Sequence, residues 1–389
     1  MTPFRTLLLA APLLACLSLS TRAATYYVAT NGNNLYSCAQ ARNLSTPKRN
    51  ITGIGSGLTC LSAGDRLEIR AGNYAEVIRT SWAQTIPSGS SWTNATTIAA
   101  YGSETVTIRG VNVYSPVQYV VFSRLIIDAN YSTSEAALVG NGGHHIRFVD
   151  CEARNTRGQG GLIFQGSGGN EWIRGRIHHN GDNTGVDHGV YITSPNNILD
   201  GVEIYNNYAF GVHIYNQGKG GASGNVVKNC KIHNNAVGGT TNSPSGILMT
   251  DASSGLVFNN LVYDEYMGIS VATPWTSASN IKVFNNTIYS CIAMGLSVSS
   301  RSTSASLKNN ILYQNGYDSI VNSGISTTLL NNLQAINPVF VNPAAGDLRI
   351  QSSSPAINKG TSTAPDVMVD KWGKLRPSGV AYDIGAHEY

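Results

Sequence analysis

The chain has 389 residues, of which only 12% are charged, and its 26 Lys and Arg against 22 Asp and Glu leave a formal charge of +4. A charge this small neither demands nor forbids an acidic partner. Beyond the N-terminus no apolar run approaches the 18 residues of a membrane helix, which excludes a protein built on membrane-spanning helices.

Met1 to Ala23 carries an early Arg5, an apolar run from Leu7 to Leu19, and small residues at Thr21 and Ala23. That pattern predicts a secretory signal peptide, too short to cross a membrane. Leu13-Leu14-Ala15-Cys16 is a weaker lipidation signal, since apolar character runs on past Cys16. Removing the signal takes away Arg5 and Arg22 and lowers the charge by two. The expected location is periplasmic or extracellular. In that oxidising setting Cys38 and Cys60 are expected to pair. Thr25 to Val28 reads as a strand, and Ile51, Ile54, Leu58 and Leu61 recur at helical spacing.

From residue 123 the chain repeats itself. One column holds Ser123, Cys151, Gly175, Val202, Cys230, Asn260, Asn286, Asn310 and Asn332, at steps of 28, 24, 27, 28, 30, 26, 24 and 22 residues. Two positions later comes an apolar column, Leu125, Ala153, Ile177, Ile204, Ile232, Val262, Ile288 and Leu312. Five positions after the first column comes a second polar one, Thr156, Asn180, Asn207, Asn235, Glu265, Cys291 and Asn315. Each repeat resumes with Gly and an alternating triplet, as in Gly189-Val190-Tyr191-Ile192 and Gly211-Val212-His213-Ile214. Short period-2 runs broken by Asn and Gly are strands between tight corners, and a period of this size means a solenoid. Stacked Asn can bond up and down such a coil at a spacing of roughly 4.8 Å. Cys151 and Cys230 lie three rungs apart, too far to bridge, and with Cys291 are expected to be small buried side chains.

On these columns the chain resembles the right-handed parallel β-helix family of pectate lyases, alginate lyases and chondroitinase B. The resemblance implies an all-β, single-stranded right-handed parallel β-helix, a solenoid with an N-terminal cap and a C-terminal clasp. The boundaries expected are 1–23 for the signal, 24–96 for the cap and first rungs, 97–335 for the helix and 336–389 for the clasp. Gly64-Asp65-Arg66-Leu67-Glu68-Ile69-Arg70-Ala71-Gly72-Asn73-Tyr74 is similar to the stretch by which alginate-lyase-like helices enter their first rung. Asp383-Ile384-Gly385-Ala386-His387-Glu388-Tyr389 resembles the end of many secreted bacterial relatives.

The family's ligands lie along the strand after the repeated Gly. Loop lengths add an independent sign: Gly181 to His188, Ala236 to Ser245 and Asn216 to Gly224 are long, and all adjoin the rung of Gly211. Outward positions along that strand are Ile163 and Gln165, Tyr191 and Thr193, His213 and Tyr215, Leu248 and Thr250, Ser270 and Ala272, Ser297 and Ser299. Glu152, Arg176, Glu203 and Lys231 instead read as a surface ion-pair ladder, and His178, Tyr205, His233, Tyr263, Tyr289 and Tyr313 as a stacked aromatic stripe rather than a sugar platform.

Glycoside hydrolysis needs two carboxyl groups, and the outward positions hold none; Asp182, Asp187 and Asp251 lie in adjoining loops. Eliminative cleavage of a uronate polymer needs a base, an acid and something to offset the sugar carboxylate. The residues then read as His213 for the base, Tyr191 or Tyr215 for the acid, and His188 in support. Lys219, Asp187, Thr193, Gln165 and Thr250 are the substrate contacts. Lys219 or a bound Ca²⁺ would neutralise the carboxylate, although the carboxylate cluster that binds calcium in pectate lyases has no clear counterpart. The expected protein is thus a monomeric lyase of an acidic polysaccharide, without nucleic-acid or membrane partners. A non-catalytic carbohydrate-binding β-helix and a β-helix glycosidase are the alternatives.

Overall fold

The computed structural model describes residues 23–81, 84–182, 187–217, 221–239 and 242–389. The signal peptide, apart from its last residue, lies outside them, as does Lys219. Parallel pairing begins at Thr25–Val28, whose partner is Arg66–Ile69, and continues to Leu333–Gln334, giving a right-handed β-helix of about nine turns. Each rung has three short strands, and equivalent strands stack in register. The groove strand runs through Glu135–Val139, Gly160–Phe164, His188–Ile192, Phe210–Ile214, Ser245–Met249, Met267–Val271, Met294–Val298 and Val321–Asn322.

The Asn doublets of the repeat do two jobs at the corners. The first member takes a left-handed backbone, with φ of 56°, 53° and 56° at Asn259, Asn285 and Asn309, a conformation Asn tolerates better than most residues. The second turns inward: Asn260 Nδ2 donates to Asn286 Oδ1 at 2.9 Å, Asn286 to Asn310 at 3.0 Å and Asn310 to Asn332 at 2.9 Å. A matching ladder runs from Asn180 through Asn207 and Asn235 to Glu265. Glu265 stands where its neighbours have Asn; burial pushes its carboxyl up to about 8, so it is neutral at pH 7. A third ladder joins Asn170, Asn197 and Asn225, and its steps of 27 and 28 residues repeat the same period. The repeated Gly makes room for this arrangement. A Cβ at Gly161 would come within 2.5 Å of Asn180 Nδ2 and 2.7 Å of Ile177.

Between the strands lies one continuous core of Ile, Val and Leu, each worth about 1.5–3 kcal/mol when buried. Phe122, Phe148 and Trp172 stack through the early rungs at 5.2 and 4.8 Å between rings. Cys151, Cys230 and Cys291 are free and buried, and Cys38 is bonded to Cys60.

One feature of the ends differs from expectation. The cap has no α-helix among the described residues; Leu58–Cys60 is a single 3₁₀ turn, and Ile54 is fully exposed while Ile51, Leu58 and Leu61 are buried. Gly53 and Gly55, with φ of 94° and 70°, break the helical spacing the apolar residues suggested. The C-terminal segment, meanwhile, lies along the helix wall on its own small core, which includes Leu261, Ile311, Phe340 and Ile384. Phe340 rests on Tyr289 and Tyr313 at 5.7 and 6.5 Å. Part of the aromatic stripe is therefore the seat of this clasp.

Candidate active site

Beside the clasp wall the ion-pair ladder is in place: Arg176 reaches Glu152 at 2.8 Å and Lys231 reaches Glu203 at 3.0 Å. The histidines of the stripe join it. His233 Nε2 lies 3.2 Å from Glu203, and His178 Nε2 lies 3.3 Å from Glu152 at an angle outside hydrogen-bonding geometry. His178 and His233 are the leading causes holding Glu152 and Glu203 down to about 2.

On the groove strand the register places Tyr191, His213 and Leu248 side by side on successive rungs. His213 stacks on Tyr215 at 5.3 Å and on Phe210 at 4.6 Å, and its ring lies 5.6 Å from Tyr191. His188 completes the nest, stacked on Tyr191 at 4.8 Å and edge-on to His213 at 4.9 Å. The Nδ1 atoms of both histidines are buried without a hydrogen-bond partner. Burial pushes the His188 imidazole down to about 3, and burial together with His188 takes His213 well below the usual histidine range. Both rings are therefore neutral at pH 7. Tyr191 moves the other way: burial raises it, Tyr215 and Asp251 add to that, and a bond from Gln217 opposes them. The nest thus holds an unprotonated imidazole beside a phenol that keeps its proton.

A groove of about 780 Å³ opens from this nest and runs along the later rungs, from Phe210, His213 and Tyr215 past Ser245, Ser270 and Ser297 to Val321 and Ser323. That size suits a bound small molecule or part of a polymer. No Asp or Glu lines it among the described residues, which leaves a glycosidase without its carboxyl pair there. Among the described residues no group of three or more His, Cys, Asp or Glu is placed to hold a metal ion.

Several expected site residues stand elsewhere than on the groove floor. Asp187 and His188, expected to meet or support the substrate, are buried, with 3% and 5% of their surface exposed, because the strand already begins at His188 and packs under Phe210 and Tyr191. Asp187 Oδ2 accepts from the Asp182 backbone at 3.3 Å. Thr250 does line the groove, but it is buried and its hydroxyl is bonded to Thr276. Ile163 is likewise covered. Gln165 is exposed and Thr193 half-buried, both on rungs before the groove opens. Phe210, Met267, Met294 and Trp275 line the groove and were not singled out. Phe210 was legible as the residue ahead of a repeated Gly, but nothing in the period marks Trp275, which sits in an irregular turn.

The family model described as the right handed beta helix region matches residues 90–241 and again 185–334, together more than half of the chain. No curated protein matches it. Among solved structures, pectate lyase Pel9A is similar at 18% identity over 95% of this chain and 97% of that one, with a TM-score of 0.66. A rhamnogalacturonan lyase is similar at 15% identity over 91% and 99%, with a TM-score of 0.55. The A-module of a mannuronan C-5 epimerase from Azotobacter vinelandii is more remote, at 12% identity over 70% and 91% and a TM-score of 0.41. At such identities the likeness concerns the fold.

Proposed function

The chain belongs to the right-handed β-helix family, and from that premise we propose that it is a secreted polysaccharide lyase acting on a uronate-containing polymer by β-elimination. The observation that carries this reading is the nest of His213, His188, Tyr191 and Tyr215, whose His213 and Tyr215 line a ligand-sized groove. His213 takes the C5 proton of the uronate; the electron pair forms the C4–C5 double bond as the C4–O bond breaks. Tyr191 or Tyr215 gives its proton to the departing oxygen. The product is an unsaturated uronate and a new chain end, and no water is consumed.

The low basicity of His213 fits this role in one respect: the ring is unprotonated and ready across the neutral range. Once protonated in so apolar a nest it needs a counter-charge, and the substrate carboxylate is the anion at hand. His188, behind His213, fixes the ring rather than meeting substrate. Lys219, in the adjoining connection, is the sequence's candidate for offsetting the carboxylate.

The test is ultraviolet absorbance of the unsaturated uronate on a panel of uronate polymers, run in deuterated water with wild type and His213→Ala. Absorbance that rises in wild type and falls about 10²–10⁴-fold in the variant supports the assignment. Deuterium uptake at C5 without absorbance would replace it with epimerisation, and reducing ends without absorbance with hydrolysis. Binding without any chemistry would leave a carbohydrate-binding β-helix.

A further inference from the structure

Beyond the His213 end, the groove changes character. Its floor is formed by Leu248, Met267, Ala272, Met294, Val298 and Val321, interrupted by a line of hydroxyls. Ser245 and Ser270 approach to 3.0 Å, and Ser297 donates to Ser270 at 3.2 Å, so these hydroxyls form a ladder of their own. None of the described residues lining the groove is Lys, Arg, Asp or Glu. Over this stretch stands Trp275, 81% exposed, at the rim.

Trp275 is held by a braced turn. Thr273 Oγ1 accepts from the Trp275 and Thr276 backbone at 3.2 and 3.0 Å, and the Thr273 backbone donates to the Thr276 carbonyl at 3.1 Å. Thr250 ties Thr276 to the strand below, and Arg301 Nε donates to the Pro274 carbonyl at 2.7 Å. That turn follows the rung of Ser270, two rungs from His213, or roughly 10 Å at the strand spacing. A large indole kept in water on a fixed turn, above an apolar floor with hydroxyls, matches the two faces of an uncharged pyranose: C–H groups to stack on the ring, hydroxyls to bond to the serines.

We propose that the groove from Leu248 to Val321, with Trp275 as its stacking platform, binds an uncharged sugar unit next to the uronate held at His213. Trp275 is then a specificity-determining residue. The inference rests on the lyase reading for the position of the cut but not for the binding. It assigns the substrate to polymers in which an acidic unit is flanked by a neutral one, either a neutral sugar or a uronate masked as its methyl ester. Both present the same uncharged ring to the groove. A plain homopolyuronate would bring a carboxylate into an apolar channel with no Lys or Arg among its described lining residues, a costly burial.

The experiment is affinity gel electrophoresis of the full chain, with tryptophan fluorescence alongside, on three polymers: a homopolyuronate, the same polymer with most carboxyls methyl-esterified, and an alternating uronate–neutral polymer. At least tenfold tighter binding to a polymer with uncharged units is expected. The binding is to fall about tenfold in Trp275→Ala, be largely kept in Trp275→Phe, and shift towards the homopolyuronate in Met267→Lys. Preference for the esterified polymer alone assigns the ester, for the alternating polymer alone the neutral sugar, and for both the shared uncharged ring; each supports the proposal. Equal or tighter binding of the homopolyuronate, binding indifferent to Trp275→Ala, or no binding at all overturns it. Binding with this preference but no unsaturated product would sink the lyase reading and leave the groove assignment standing. Unsaturated product made best from the homopolyuronate would do the reverse.

Discussion

Two clusters of histidine and tyrosine stand on neighbouring walls of one coil, with nearly the same composition and opposite electrostatics. On the clasp wall His178, Tyr205, His233 and Tyr263 stack at 4.7, 5.3 and 4.9 Å, and Glu152 and Glu203 lie within reach of the two histidines. On the groove wall His188 and His213 sit among Tyr191, Phe210 and Tyr215, and burial alone or burial with the other ring depresses both. On the clasp wall the histidines help hold Glu152 and Glu203 down to about 2, a structural contact, whereas on the groove wall an apolar nest keeps both imidazoles neutral and unprotonated. The difference between scaffold and candidate chemistry lies in the neighbours, not in the residue types.

The largest way to sharpen this contrast is pH. His188 titrates near 6.5 when unfolded and at about 3 in the fold, so the folded state resists protonation. Its contribution is fully present above pH 6.5 and is lost as pH falls towards 3. At 1.36 kcal/mol per unit the whole loss is on the order of 5 kcal/mol. Urea unfolding at pH 7 and pH 4 is expected to show a much smaller acid loss for His188→Phe than for wild type; identical losses would mean that His188 is not the buried neutral base described.

Next in size is the clasp. Arg376 and Glu388 pair at 2.8 Å with both side chains fully buried, and Arg376 also donates to the carbonyls of Asp383 and Gly385. Arg376→Met would strand the Glu388 carboxyl and cost about 3–5 kcal/mol in thermal unfolding. Groove binding is expected to survive below the new melting temperature, because the clasp packs on another wall. Loss of both together would join the two regions that are here kept apart. The smallest effect belongs to the exposed part of the ladder: Lys231→Met removes a pair at 3.0 Å that is about one-third exposed on each side and should change stability by less than about 1 kcal/mol. A larger loss in the same unfolding measurement would make the clasp wall a more demanding network than its geometry suggests.

The coil itself was legible, down to the columns that ladder, because every rung must solve the same local problem of corner conformation and strand spacing. The repeated Gly, the Asn doublets and the apolar column each recur where that problem recurs. The site was legible only in part. His213, Tyr191 and Tyr215 could be named from alternation and loop length, but the same alternation put Ile163 and Thr250 on an open surface where neighbouring loops and rungs cover them. The cap misled for a local reason, its glycines, and the third Asn ladder was missed although its period was in plain view.

The amino-acid order by itself determined the architecture, since a solenoid is built from contacts between neighbouring rungs that repeat with the sequence. Only the tertiary structure decided which histidines lie beside a carboxylate and which are buried in an apolar nest, how the clasp covers the aromatic stripe, and that Trp275 stands at the rim of the groove. Phe340 meets Tyr289 and Tyr313, and Arg376 meets Asn259, across separations that no period encodes. Burial, and with it the chemistry of an imidazole, is a property of everything packed around it, and that becomes definite only when distant segments meet.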